Sequence, residues 1–191
     1  MAAKRGQNEQ ALVCAAQRGD KESLQLLFRH NWAWLKGLVY SIVQNADDID
    51  DVLQDICVRV ISKIDTLREP QRFRSWLAIL ARRQALRFRQ QKAQRQMPVN
   101  MELADLERDS NSAQLIDNIE QKEQYQLILS AVKSLPEKYR QVFILEHIND
   151  LTYRQIAEIL DVPVTTVQIR LVRARRMLYN WINDKNRVRE R

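Results

Sequence analysis

The sequence predicts an all-α fold: two small helical domains joined by a flexible linker, the second containing a helix-turn-helix. Apolar residues recur every three or four positions over long stretches, strand-like alternation is scarce, and only 3 glycines and 4 prolines interrupt 191 residues. A chain of this length can bury a stable core without disulfides or metals. Met1 to Asn8 are polar and are expected to fray. From Glu9, Leu12, Val13 and Ala16 describe a short first helix that Gly19 stops. Asp20 can cap the second, where Leu24, Leu27, Phe28, Leu35, Leu38, Val39 and Ile42 keep one apolar stripe to about Val43. Trp32 and Trp34 cannot both face that stripe, so at least one lies at an edge.

Asp47 and Asp48 start a third helix, where carboxylates are favoured by the unpaired N–H groups and the macrodipole. Ile49, Val52, Leu53, Ile56 and Val60 face inward, leaving Asp50, Asp51, Gln54 and Asp55 as an acidic patch. With no histidine beside it, the patch suits a protein-docking face better than a metal site, and a merely solvated face is the alternative. Ile64 to Gln71 reads as a loop, interrupted by Asp65, Thr66 and Pro70. A fourth helix, about Arg72 to Ala93, buries Phe73, Trp76, Leu77, Leu80 and Ala81. It carries Arg72, Arg74, Arg82, Arg83, Arg87 and Arg89 elsewhere, with Arg95 just beyond it. Aromatics among so many arginines suit a nucleic-acid surface, with Trp76 itself in the core.

Residues 9–96 thus form a first domain. Residues 97–118 form a polar, acidic linker with Glu102, Asp105, Glu107 and Asp109 and no sustained apolar face. A second domain, 119–185, opens with a helical pattern from Ile119 to Leu135. Pro136 and Glu137 begin another helix carrying Val142, Phe143 and Leu145. Thr152 then caps a short helix with Ile156, Ala157, Ile159 and Leu160 on one face, and Asp161, Val162 and Pro163 break it. The last helix, about Val164 to Asn183, packs through Val167, Leu171, Ala174 and Leu178. It turns Thr165, Gln168, Arg170, Arg173, Arg175 and Arg176 outward. That is the pattern of a recognition helix whose polar side chains reach base edges in a major groove; a basic surface helix of a bundle is the bland alternative.

The net charge of +7 favours an anionic partner. Nucleic acid is favoured over membrane, because no apolar run approaches the ~20 residues that span a bilayer and no signal peptide opens the chain. The cytoplasm is the expected compartment, without membrane insertion. Cys14 and Cys57 stand alone and read as small buried hydrophobes. His30 and His147 are isolated too, so no catalytic set, cofactor or metal is expected.

Three segments together resemble the extracytoplasmic-function group of bacterial sigma factors. DDIDDVLQDICVRV (Asp47 to Val60) is similar to that family's core-binding segment, AEDxxQExF. RFRSWLAILARRQA (Arg72 to Ala85) is similar to its WLxxIAxN promoter-melting helix. Leu135 to Arg175 is similar to its second domain, with LPxxxRxVFxL before the helix-turn-helix and TVxxRLxRAR inside it. The three occur in the family's order over nearly the whole chain.

The resemblance implies a non-catalytic initiation factor that binds core RNA polymerase and promoter DNA in a stress or envelope response, restrained by an anti-sigma factor. Asp51, Gln54 and Asp55 would dock on the polymerase. The Ile64 to Gln71 loop would capture a flipped base of the minus-10 element, and Arg72, Arg74, Arg82, Arg83 and Arg87 would hold the opened strand. The acidic linker would run toward the RNA exit path. Thr165, Gln168, Ile169, Arg170, Arg173 and Arg175 would read the minus-35 element. Departures occur at Arg83, where the family has Asn, at Cys57, usually aromatic, and at Thr165, Gln168 and Ile169 on the recognition helix. Ile169 can offer a base only apolar contact, as with a thymine methyl. A conventional helix-turn-helix regulator that binds duplex DNA by itself shares the last motif but leaves the acidic and Trp76 helices unexplained.

Overall fold

A computed structural model describes residues 2–95, 130–148 and 151–189, and every regular element among them is helical. In order these are α1 (Ala2–Gln17), α2 (Lys21–Val43), α3 (Ala46–Lys63), 3-10 turns at Ile64–Thr66 and Pro70–Arg72, and α4 (Phe73–Arg95). Helical residues 130–134 follow, then α5 (Glu137–Glu146), α6 (Tyr153–Leu160) and α7 (Val164–Arg189). The predicted linker, 97–118, and the predicted helical stretch as far as residue 129 lie outside the described residues.

Local chemistry accounts for most boundaries. Gly19, at φ +92°, ends the turn after α1, and the Asp20 carboxylate accepts from the Glu22 and Ser23 amides to cap α2. The α3 cap is Asn45, which accepts from the Asp47 N–H; Asp47 and Asp48 occupy the first turn and favour it through the macrodipole rather than by capping. Two helices run longer than predicted. α1 begins at Ala2 because Ala2, Ala3, Lys4 and Arg5 are strong helix formers and one glycine does not stop them. α7 continues to Arg189 because no Gly or Pro follows Asn183, and Trp181 and Ile182 pack with Ala131, Leu135, Ala174 and Leu178.

Leu35, Leu38, Val39 and Ile42 of α2 meet Val52, Leu53, Ile56 and Val60 of α3 and Phe73, Leu77 and Ala81 of α4, all buried. Apart from the small Ala81, each such side chain contributes about 1.5–3 kcal/mol by leaving water. The same apolar cluster continues through Val142, Leu145 and Ile148 into Ile156, Ile159 and Leu160, so the second domain packs directly on the first. α5 lies against α2 and α6 against α4.

The helix-turn-helix is closed by its own polar groups. Thr152 and Gln155 form a reciprocal capping box, the Thr152 N–H donating to Gln155 Oε1 at 2.8 Å and the Gln155 N–H to Thr152 Oγ1 at 3.3 Å. Asp161 turns the chain at φ +57°, and the Pro163 carbonyl accepts from the Thr166 and Val167 amides as α7 starts.

Candidate DNA and protein interfaces

The face of α3 opposite its core carries Asp51, Gln54 and Asp55, all exposed as their spacing predicts. Asp55 also accepts from Gln84 Nε2 at 2.9 Å, tying α3 to α4. Val58 and Ile61, seven and ten residues after Asp51, continue the stripe and are 59% and 57% exposed. Sequence reasoning missed this apolar half of the face. The available signal was periodic: Val58 and Ile61 fall outside the Ile49, Val52, Ile56 and Val60 register. Cys57, half-buried beside them, has its thiol pushed above the usual range by burial.

The arginines of α4 and of the turn just before it divide into three environments. Arg83 and Arg87 are exposed. Arg74, predicted among the strand-holding cations, is instead internal: its Nε lies 2.9 Å from Glu9 Oε2, with both side chains about nine-tenths buried. The reason is a carboxylate brought in by α1, 65 residues away in the chain. Arg72 and Arg82 face the second domain. Arg72 pairs with Glu158 at 3.5 Å, and Arg82 Nε lies 3.5 Å from Gln141 Oε1. Burial lowers the Arg82 pKa; Asp161 and Glu137 oppose that shift, while Arg170 and Arg89 add to it. The group stays cationic at any physiological pH. Arg89 donates to Glu137 at 2.7 Å. Trp76 is partly buried, its ring centroid 6.0 Å from that of Phe73.

On α7, burial of Val167, Leu171, Ala174 and Leu178 defines the outward face. Thr165, Ile169, Val172 and Arg176 lie directly opposite, with Gln168 and Arg173 at its edges, and all six are exposed. Val172 is 65% exposed and Ile169 52%, an apolar pair in the middle of a polar face. Val172 was absent from the predicted contacts, and Arg176 was recognised only as outward-facing. Two predicted cations have protein partners and a third lies partly covered. Arg175 is ion-paired with Glu146, and the Arg173 guanidinium beside the Tyr139 hydroxyl lowers the Tyr139 pKa. Arg170 is half-buried and lines a cleft with Arg82, Glu137, Lys138, Gln141 and Leu160.

Among the described residues no helix is long and apolar enough to cross a membrane, and no three His, Cys, Asp or Glu side chains gather as metal ligands would. The family model for sigma-70 region 2 matches residues 27–95, and that for sigma-70 region 4 matches residues 125–178. The ECF RNA polymerase sigma-E factor of Haemophilus influenzae is 30% identical over 180 residues, which cover 91% of this chain and 95% of that protein. Its Escherichia coli K12 namesake is 29% identical, over 91% and 94%. Among solved structures, CnrH in complex with the cytosolic domain of CnrY superposes with a TM-score of 0.61 at 20% identity, over 93% of this chain and 98% of CnrH. The sigma factor RpoE, in complex with the anti-sigma factor NepR from Bartonella quintana, gives 0.60 at 21%, over 85% and 96%. At these identities the structural likeness speaks for the fold.

Proposed function

The chain belongs to the sigma-70 family, in its extracytoplasmic-function group, and from that membership we infer how its surfaces divide the work of promoter-specific transcription initiation. A sigma factor binds core RNA polymerase, brings it to a promoter and helps part the strands. The observation that carries the assignment of surfaces is the pairing, in one chain, of a mixed acidic and apolar stripe on α3 with a polar outward face on α7. The first suits a protein and the second a major groove.

Asp51, Gln54 and Asp55, extended by Val58 and Ile61, dock on the polymerase. Arg83 and Arg87 meet the opened strand directly, and Arg72 and Arg82 join them once their partners in the second domain withdraw. Thr165, Gln168, Ile169, Val172, Arg173 and Arg176 read the minus-35 element, the two aliphatic side chains against thymine methyls. Arg175 and Arg170, engaged with Glu146 and the interdomain cleft, lie at the margins of that contact. An anti-sigma factor, the kind of partner seen with RpoE from Bartonella quintana, is proposed as the inhibitor. The chain is proposed to act in the cytoplasm and to supply no catalysis of its own. The region 2 match over residues 27–95 disfavours the rival reading as a self-sufficient duplex-binding regulator, which has no use for such a domain.

The decisive experiment is reconstituted transcription. Purified protein added to core polymerase should start transcripts at discrete sites carrying two shared elements. A protein that grips duplex DNA alone and never programs the polymerase would overturn the assignment.

A further inference from the structure

The segment between α3 and α4 is held from outside by α1. Ile64 and Leu67 anchor it through buried side chains, and the Leu67 N–H bonded to the Ile64 carbonyl closes its first turn. Between these anchors and Phe73, the side chains of Asp65, Thr66, Arg68, Glu69, Gln71 and Arg72 are exposed. Two α1 side chains bracket the segment. At its α3 end the Gln17 amide nitrogen donates to the Ile64 carbonyl at 2.8 Å and to the Leu67 carbonyl at 2.7 Å. At its α4 end, Glu9 holds buried Arg74 at 2.9 Å and accepts from Asn31 Nδ2 at 3.1 Å. Asn31 is itself fixed by donating to the Leu27 carbonyl and accepting from Trp34 Nε1.

One amide group spanning two carbonyls three residues apart sets the distance between them, and therefore the path on which Arg68 and Glu69 are displayed. Hydrophobic anchoring alone leaves such a path free to pivot, because apolar contact is non-directional. Hydrogen bonds supply the missing direction. The α1 helix that carries Gln17 is in turn seated by Val13 and Ala16, both buried.

We propose that Gln17 is a positioning residue for base selection in the minus-10 element: it touches no DNA, but its two hydrogen bonds hold the 64–72 segment in the geometry that discriminates between bases. The proposal rests on the assignment of that segment to minus-10 capture. Gln17→Met keeps the side chain's length and volume while removing the donor. Gln17→Glu keeps its shape and sets oxygen against carbonyl oxygen. Gln17→Lys retains a donor able to reach both carbonyls.

The test is reconstituted transcription with the full chain and core polymerase, on the preferred promoter and on versions altered base by base in the minus-10 element. Gln17→Met and Gln17→Glu should lower the ratio of preferred to altered initiation by roughly tenfold, the scale on which a pair of net hydrogen bonds acts. Polymerase affinity and minus-35 preference should be unchanged, and Gln17→Lys should return the ratio to within about twofold of wild type. A wild-type ratio in either donor-less variant overturns the proposal, as does an equal loss on all promoters, which marks a merely structural role. If Gln17→Met does not fold, Gln17→Glu decides alone. A combined Arg68→Ala, Glu69→Ala and Gln71→Ala variant separates the two levels. If it leaves base selection intact, the loop assignment falls and takes the proposal with it; if it abolishes selection while the Gln17 variants do not, only the proposal falls.

Discussion

Arg74 and Arg83 lie nine residues apart on one basic helix and have opposite fates, which shows how little residue type alone says about role. Arg74 is enclosed with Glu9, and removing one member of a buried pair strands the other charge away from water. Arg74→Ala should therefore cost about 3 kcal/mol in urea unfolding, and Glu9→Ala a similar amount. Arg83→Ala should leave stability within about 0.5 kcal/mol while weakening binding to single-stranded promoter DNA. Equal unfolding midpoints for the two arginine variants would show that the Glu9 pairing is dispensable. Gln168 and Ile169 are both exposed on the outward side of α7, the face proposed to read the minus-35 element.

At the scale of elements, α3 is a helix with two usable faces. One is core. The other begins with the carboxylates of Asp51 and Asp55 and ends in two exposed aliphatic side chains, Val58 and Ile61. Desolvated apolar contacts dominate interface energies, whereas exposed charges mainly steer approach. Val58→Asp should thus weaken binding to core polymerase by more than about tenfold, or ~1.4 kcal/mol, chiefly through faster dissociation. Asp51→Asn should act chiefly on association and lose its effect at high salt. Surface plasmon resonance at two ionic strengths separates the two, and an unchanged dissociation rate for Val58→Asp would remove that residue from the interface.

For the whole molecule, the domain contact decides which of the arginines proposed to meet DNA are displayed. Arg72 with Glu158 and Arg89 with Glu137 cross it, but all four side chains are at least a third exposed, and each such pair contributes about 0–1 kcal/mol. The continuous apolar cluster through Leu145, Ile148 and Ile156 holds it instead. Gly37 of α2 offers a lever, because a Cβ placed there would meet only Ile144 Cγ2, at 4.0 Å. Gly37→Ala should fit and add about 1 kcal/mol through better helix propensity. Gly37→Phe should prise α5 from α2, raise the radius of gyration in X-ray scattering, and tighten binding of single-stranded minus-10 DNA as Arg72 and Arg82 lose their partners. A Gly37→Phe protein as compact as wild type would show that the domains part along another surface.

What the sequence determined by itself is whatever neighbouring residues settle among themselves. Asp20, Thr152 with Gln155, Gly19 and Asp161 set helix ends through bonds spanning two to four residues, and the apolar period of α2 and α3 named their buried faces correctly. The outward face of α7 was legible for the same reason: its buried set repeats every three or four residues, which places the others opposite. Only the tertiary structure could say that Arg74 is internal, that Arg72, Arg82 and Arg170 meet the other domain, and that Gln17 braces a loop 47 residues away. An arginine looks alike in sequence whether its carboxylate partner lies four residues away or 65. Such pairings cost chain entropy to form and are fixed only when the packing of whole helices brings the two groups together.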